Sequence, residues 1–250
     1  MDVREKKRKR KRLIRAVIFL AAVMTAAAIA VWLGTYARAD EKAVGAYVSD
    51  LQVEERILEG GDLAFGTGDE EYGLIFYPGA KVDEKAYVPL MEELASNGVF
   101  CVVCKMPLHL ALLKQNAADG IIEAFPGIGH WYIGGHSLGG VISASYLAKH
   151  ADDFEGIVLL GAYSITDLSE TDLEALLLYG SEDGVLNMKK YEENRRNLPA
   201  DTRETVLEGG CHAYFGMYGE QRGDGEASIS NADQVMLSAQ EILNLIKDTD

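Results

Sequence analysis

The chain has 250 residues, enough for one domain of ordinary size after a short N-terminal segment, and enough to bury a full core. Its charge is segregated: residues 1–39 hold ten Lys or Arg against Asp2 and Glu5, leaving 14 basic and 37 acidic residues in the rest, a net of −23. A body that acidic repels nucleic acid and anionic headgroups, so nucleic-acid binding is set aside.

Residues 1–15 read as a basic cytoplasmic segment and 16–34 as a transmembrane signal anchor. No residue from Ala16 to Gly34 is charged, and a helix over that stretch is about 28 Å long, close to the hydrocarbon thickness of a bilayer. The basic run stays in the cytoplasm, which puts the acidic body outside. The alternative is a secreted body released by cleavage at the small-x-small triplet Ala37-Arg38-Ala39, although the apolar run exceeds the roughly 7–15 residues of a signal core. Residues 35–50 read as a tether and 51–250 as the folded body.

Within the body, strand and helix patterns alternate, predicting a mainly parallel sheet with helices on both faces. Val53–Leu58 and Asp62–Phe65 read as an antiparallel pair joined at Gly60-Gly61. Gly73–Tyr77 is a buried strand ending at Pro78-Gly79. Asp83 caps a helix over Glu84–Ser96, with Pro89 in its second turn and Asn97-Gly98 ending it. Val99–Cys104 is a strand, Leu108–Phe125 a helix broken near Asp119-Gly120, and Trp131–Gly134 a short strand before the helix Leu138–Lys149. Gly156–Leu160, Leu173–Tyr179 and Thr202–Leu207 are strands. Met188–Arg196 and Ala232–Ile246 are helices. The short connection from Gly161 to Asp172 leaves room for only a minimal lid, and the polar segment Gly216–Ser230 is the long loop that could roof a site instead.

The three cysteines give no disulfide framework. Cys101 and Cys104 lie on one strand, where residues three apart point to opposite faces, so a shared metal or a disulfide is not expected. No metal or organic cofactor is implied, since neither a His-Glu-x-x-His nor a dinucleotide glycine motif occurs.

The run Gly134-Gly135-His136-Ser137-Leu138-Gly139-Gly140 contains G-x-S-x-G between a predicted strand and a predicted helix. A serine on such a strained turn lifts its Oγ clear of the sheet, and the flanking glycines avoid collisions. Ser137 is therefore the candidate nucleophile. His136 reads as a pocket or packing residue. Chain order for this elbow is serine, acid, histidine. His150 ends the helix that Ser137 begins, about 20 Å away by helical rise. His212, in the glycine-rich run after the last strand, is the candidate base. Leu178-Tyr179-Gly180-Ser181-Glu182-Asp183-Gly184 offers the acid that holds the histidine tautomer. Asp183 is favoured, with Glu182 the alternative. The oxyanion donors are the backbone N–H of Leu138 and one from the loop after the first buried strand. Ala80 is the choice there, with Lys81 as alternative; Pro78 has no N–H. Tyr77, Met106 and Tyr214 are each pocket or core, and Cys211 beside His212 reads as a packing residue.

Over residues 50–247 these features resemble the α/β-hydrolase superfamily. More narrowly, the runs Phe76–Val82, Gly135–Gly140, Gly209–Gly216 and Gln221-Arg222-Gly223-Asp224-Gly225 look like a bacterial branch related to dienelactone-hydrolase-like proteins. That branch has a glycine where Ala80 stands and an asparagine where Cys211 stands. Dienelactone hydrolases use a cysteine nucleophile, so Ser137 argues against taking over their substrate. The resemblance implies a serine hydrolase, carboxylesterase-like, acting on a small-molecule acyl substrate through an acyl-enzyme. An acyltransferase or peptidase on the same triad, or a catalytically silent binding module at the cell surface, are the alternatives.

Overall fold

Successive residues of the central strands enter two different cores. The computed structural model describes residues 3–247, divided into a unit ending at Tyr36 and a second beginning at Ala37. The first unit is the helix α1 (Val3–Gly34). Its stretch Lys9–Gly34, 26 residues with a mean hydropathy of 2.5 and none of it buried against protein, is long and apolar enough to cross a membrane.

The second unit opens where a tether is expected, yet it is structured from the start. Ala37 bridges Val82 in parallel, its N–H donating to the Lys81 carbonyl at 2.7 Å and its carbonyl accepting from Asp83 N–H at 2.9 Å. Helix α2 (Glu41–Val48) follows. The Asp40 carboxylate caps it, accepting from the N–H groups of Lys42 and Ala43. The partly buried Val44 and Tyr47 pack against the core beside the next helix.

The eight strands are β1 (Glu55–Ile57), β2 (Leu63–Phe65), β3 (Tyr72–Tyr77), β4 (Val99–Val103), β5 (His130–His136), β6 (Gly156–Leu160), β7 (Glu174–Gly180) and β8 (Asp201–Leu207). Their order is β1-β2-β4-β3-β5-β6-β7-β8. The pairs from β4 to β8 are all parallel, and β1 and β2 add an antiparallel edge. The helices are α3 (Val88–Ser96), α4 (Ile121–Ala124), α5 (Leu138–Leu147), α6 (Met188–Asn194) and α7 (Asn231–Lys247).

Period-two alternation sorts the strand side chains between the two faces. Ile75, Ile133, Ile157, Leu159 and Leu177 pack with Ile142, Ala144 and Leu147 of α5 on one side. Leu74, Phe76, Tyr132, Val158, Leu160, Leu176 and Leu178 pack with α3 and α7 on the other. Cys101 falls in the second core and Cys104 in the first. They therefore lie on opposite faces of the sheet, and both are free thiols.

Two helices depart from the predicted pattern. The stretch expected as one helix from Glu84 begins as a 3-10 turn, Glu84–Tyr87, before α3. Pro89 lies in the first turn of α3, where its missing N–H costs nothing, so it starts the helix instead of kinking it. Residues 108–125 are not a broken helix but two 3-10 turns, Pro107–His109 and Ala111–Leu113, followed by the short α4. Leu108 (φ 52°) and His109 (φ 56°) are left-handed. The buried Tyr77 hydroxyl accepts from Ala118 N–H at 3.0 Å and donates to the Gln115 carbonyl at 2.9 Å. It thereby takes backbone groups that a helix would pair internally.

Candidate active site

The four loops that matter leave the carboxyl ends of β3, β5, β7 and β8, where parallel α/β sheets present their ligand sites. After β5 the chain turns sharply at Ser137 (φ 53°, ψ −123°) and enters α5. A non-glycine residue held there costs about 1–3 kcal/mol, which the surroundings must offset. The Ser137 N–H donates to the Leu160 carbonyl at 2.9 Å, and its carbonyl accepts from Val141 N–H at 3.2 Å. The turn also needs its glycines. A Cβ on Gly135 would lie 2.6 Å from the Gly139 carbonyl carbon, and one on Gly139 would overlap the carbonyls of Tyr77 and Pro78.

Asp183 and His212 meet from the loops after β7 and β8. Asp183 Oδ2 lies 2.8 Å from His212 Nδ1, and both side chains are at most 2% exposed. The other oxygen, Oδ1, accepts from the N–H groups of Val185 (2.9 Å) and Leu186 (2.8 Å). That fixes the carboxylate and leaves Oδ2 for the imidazole. Glu182 points elsewhere: it is exposed and accepts from the Ser181 hydroxyl. His212 Nε2 is buried and has no partner among the described residues. With Nδ1 donating to Asp183, Nε2 is the acceptor nitrogen.

Ser137 and His212 line one cleft of about 200 Å³. Its wall includes Leu138, Val141, Tyr163, Val185, Leu186 and Asn187 and carries no carboxylate, lysine or arginine. Tyr77 and Met106 are core, and Tyr214 faces a different cavity. Residues 216–230 are not among those that line this cleft.

In the loop after β3, Gly79 N–H donates to the Tyr87 hydroxyl at 3.0 Å, and Lys81 N–H to the His109 carbonyl at 2.6 Å. Pro78 has no N–H. Ala80, which is exposed, is the remaining donor of the turn. The Tyr87 hydroxyl also lies 2.8 Å from His136 Nδ1. That oxygen therefore bridges the Gly79 N–H and the His136 ring. Burial, and then the nearby His212, hold His136 well below the usual histidine range. It is a neutral packing group, its ring 4.6 Å from that of His212.

The position of Gly161 is not readable from the sequence pattern. It follows β6 at φ +52°, and a Cβ there would lie 2.8 Å from His212 Nδ1 and 3.3 Å from Asp183 Oδ2. Cys211 is buried, and burial, with Asp224 nearby, pushes its thiol up to about 12. It is therefore an uncharged thiol at neutral pH.

A sequence model of the Alpha/beta hydrolase family matches residues 73–236, more than half of the chain. The chain belongs to the alpha/beta hydrolase family. No curated protein matches it. Among solved structures, it is similar to an esterase from Pyrobaculum calidifontis, at a TM-score of 0.58 and 14% identity over 82% of this chain and 90% of that one. A soluble variant of monoglyceride lipase from Saccharomyces cerevisiae superposes at 0.58 and 13% identity, covering 79% and 95%. A predicted CIB-like hydrolase from Thermoplasma acidophilum does so at 0.53 and 13%, covering 78% and 99%. At these identities the likeness is one of fold.

Proposed function

We propose that this alpha/beta hydrolase is a serine carboxylesterase-like enzyme that cleaves a small-molecule ester through an acyl-enzyme. The observation that carries the reading is the buried Asp183–His212 hydrogen bond beside a cleft that His212 shares with the strained Ser137. His212 Nε2 takes the proton of Ser137 Oγ as that oxygen attacks the ester carbonyl. Asp183 keeps the imidazole in the tautomer this requires and stabilises the imidazolium. The N–H groups of Leu138 and Ala80 receive the oxyanion. His212 then gives its proton to the departing alcohol, and the acyl-enzyme forms as the C–O bond breaks. Water, deprotonated by His212, releases the acid and restores Ser137.

Support for Ala80 comes from elimination, since its neighbours Gly79 and Lys81 spend their N–H groups elsewhere. The uncharged cleft wall favours a neutral acyl group. The esterase and lipase among the structural neighbours agree with ester chemistry, and the motif runs resemble those of a bacterial, dienelactone-hydrolase-like branch.

In this reading α1 anchors the enzyme in the cell membrane as a single pass, with the acidic body extracytoplasmic. Cleavage after Ala39 would remove the Ala37 pairing with Val82 and with Asp83, which favours an uncleaved anchor. The test is turnover of p-nitrophenyl acetate by the full chain in detergent micelles. Wild type should hydrolyse it and Ser137→Ala should lose at least about 10³-fold in kcat. Equal turnover by the two proteins would refute the assignment.

A further inference from the structure

The loop 216–230 does not line the cleft, yet it reaches the acid and the base through one side chain. Asp224 Oδ1 accepts from Gly184 N–H at 3.1 Å, from His212 N–H at 3.1 Å and from Gly225 N–H at 3.0 Å. Its Oδ2 accepts from Ala213 N–H at 2.7 Å. Gly184 directly follows Asp183, and His212 and Ala213 are the base and its successor. One carboxylate therefore joins the backbone of the acid loop to that of the base loop.

We propose that Asp224 is a positioning residue that clamps these two loops together and so sets the Asp183–His212 geometry. This rests on the reading of that pair as acid and base. Asp183 and His212 stand on separate loops, 29 residues apart, and only one side-chain hydrogen bond joins them directly. Direct backbone bonds between the loops lie on the N-terminal side of both residues, from Ser181 N–H to the Leu207 carbonyl and from Glu182 N–H to the Gly210 carbonyl. Asp224 supplies the tie at the residues that carry the chemistry.

The carboxylate is suited to this work because it accepts on both oxygens, whereas an amide accepts on one. Burial acts to raise the Asp224 carboxyl, and the N–H groups of Ala213, Gly184 and His212 outweigh it, leaving it below the usual carboxylate range. The clamp thus stays ionised at neutral pH. A catalytic constellation tolerates little displacement: an error of about 1 Å can cost about 100-fold in rate. Asp224 does not touch the cleft, so its loss should act on kcat and spare substrate binding.

The experiment compares the full-length wild type, Asp224→Asn and the core control Ile242→Val in detergent micelles. Two quantities are read: ester kinetics, and the His212 Nδ1 proton by NMR with ¹⁵N-histidine labelling. For Asp224→Asn the clamp predicts a kcat loss of about 10–100-fold with KM changed by less than about threefold. It also predicts loss or exchange broadening of the Nδ1 proton signal. Ile242→Val, a cavity variant in α7 that takes no part in the Asp224 hydrogen bonds, should show neither change. A folded Asp224→Asn protein with wild-type kcat and an intact Nδ1 signal overturns the proposal. If the wild type turns over no ester, the hydrolase reading fails, and the NMR comparison still decides the clamp. Should Asp224→Asn not fold, Asp224→Glu keeps the charge but moves it by one methylene, and is judged by the same two readings.

Discussion

Gly161 and His212 approach each other through the space where a side chain would stand. A Cβ on Gly161 would lie 2.8 Å from His212 Nδ1 and 3.0 Å from its Cε1, against a group locked to Asp183 and unable to yield. The backbone of Gly161 is also left-handed, at φ +52°. Gly161→Ala should therefore displace the imidazole and strain the chain. We expect a kcat loss of about 100-fold and a fall of several degrees in Tm, checked by ester kinetics and thermal melting. Wild-type kcat in this variant would contradict the packing described.

Tyr87 holds two elements at once. Its hydroxyl accepts from Gly79 N–H and shares a hydrogen bond with His136 Nδ1, inside a fully buried environment. Tyr87→Phe would leave both partners unpaired, a loss of about 1–3 kcal/mol. Chemical denaturation should show it as a lower midpoint with an unchanged slope. The turn carrying Ala80 would also be freed, so kcat should fall along with stability.

Glu92 gives the body a pH dependence of its own. It is 7% exposed, and burial, helped by Glu55, pushes its carboxyl up to about 7. An unfolded glutamate titrates near 4.3. The folded state therefore binds the proton more tightly, and stability is lost as pH rises from the unfolded value through about 7. Glu92→Gln should raise Tm at pH 8 and lose that advantage near pH 4. A gap between the two proteins that does not vary with pH would count against this account.

All three cysteines are buried, and burial raises their thiols, Cys101 and Cys104 well above the usual range. A disulfide-exchange reagent at pH 8 should find no reactive thiol in the folded protein and three after denaturation. Rapid labelling of Cys211 in the folded state would show that the base loop opens.

The elements that announce themselves locally were legible in the sequence. Ser137 stands in a glycine frame between a strand and a helix, Asp183 at a strand end before a glycine, and His212 after the last strand. Alternation along the strands gave Cys101 and Cys104 their opposite faces. What local pattern could not give were arrangements set from a distance. Residues 108–125 have helical spacing, but the Tyr77 hydroxyl claims their backbone groups and Leu108 and His109 turn left-handed. The segment that reads as a tether holds the helix α2 because Asp40 caps it and Ala37 pairs with Val82. Asp224 lies in a polar loop whose composition says nothing of the four N–H groups its carboxylate gathers.

The most direct test of the central claim is labelling of the full chain by a fluorophosphonate, beside Ser137→Ala, Asp183→Asn and His212→Ala. The account predicts that the wild type is labelled, that Ser137→Ala is not, and that the other two label far more slowly. A folded wild-type protein that resists the reagent, or a Ser137→Ala protein that still reacts, would contradict it.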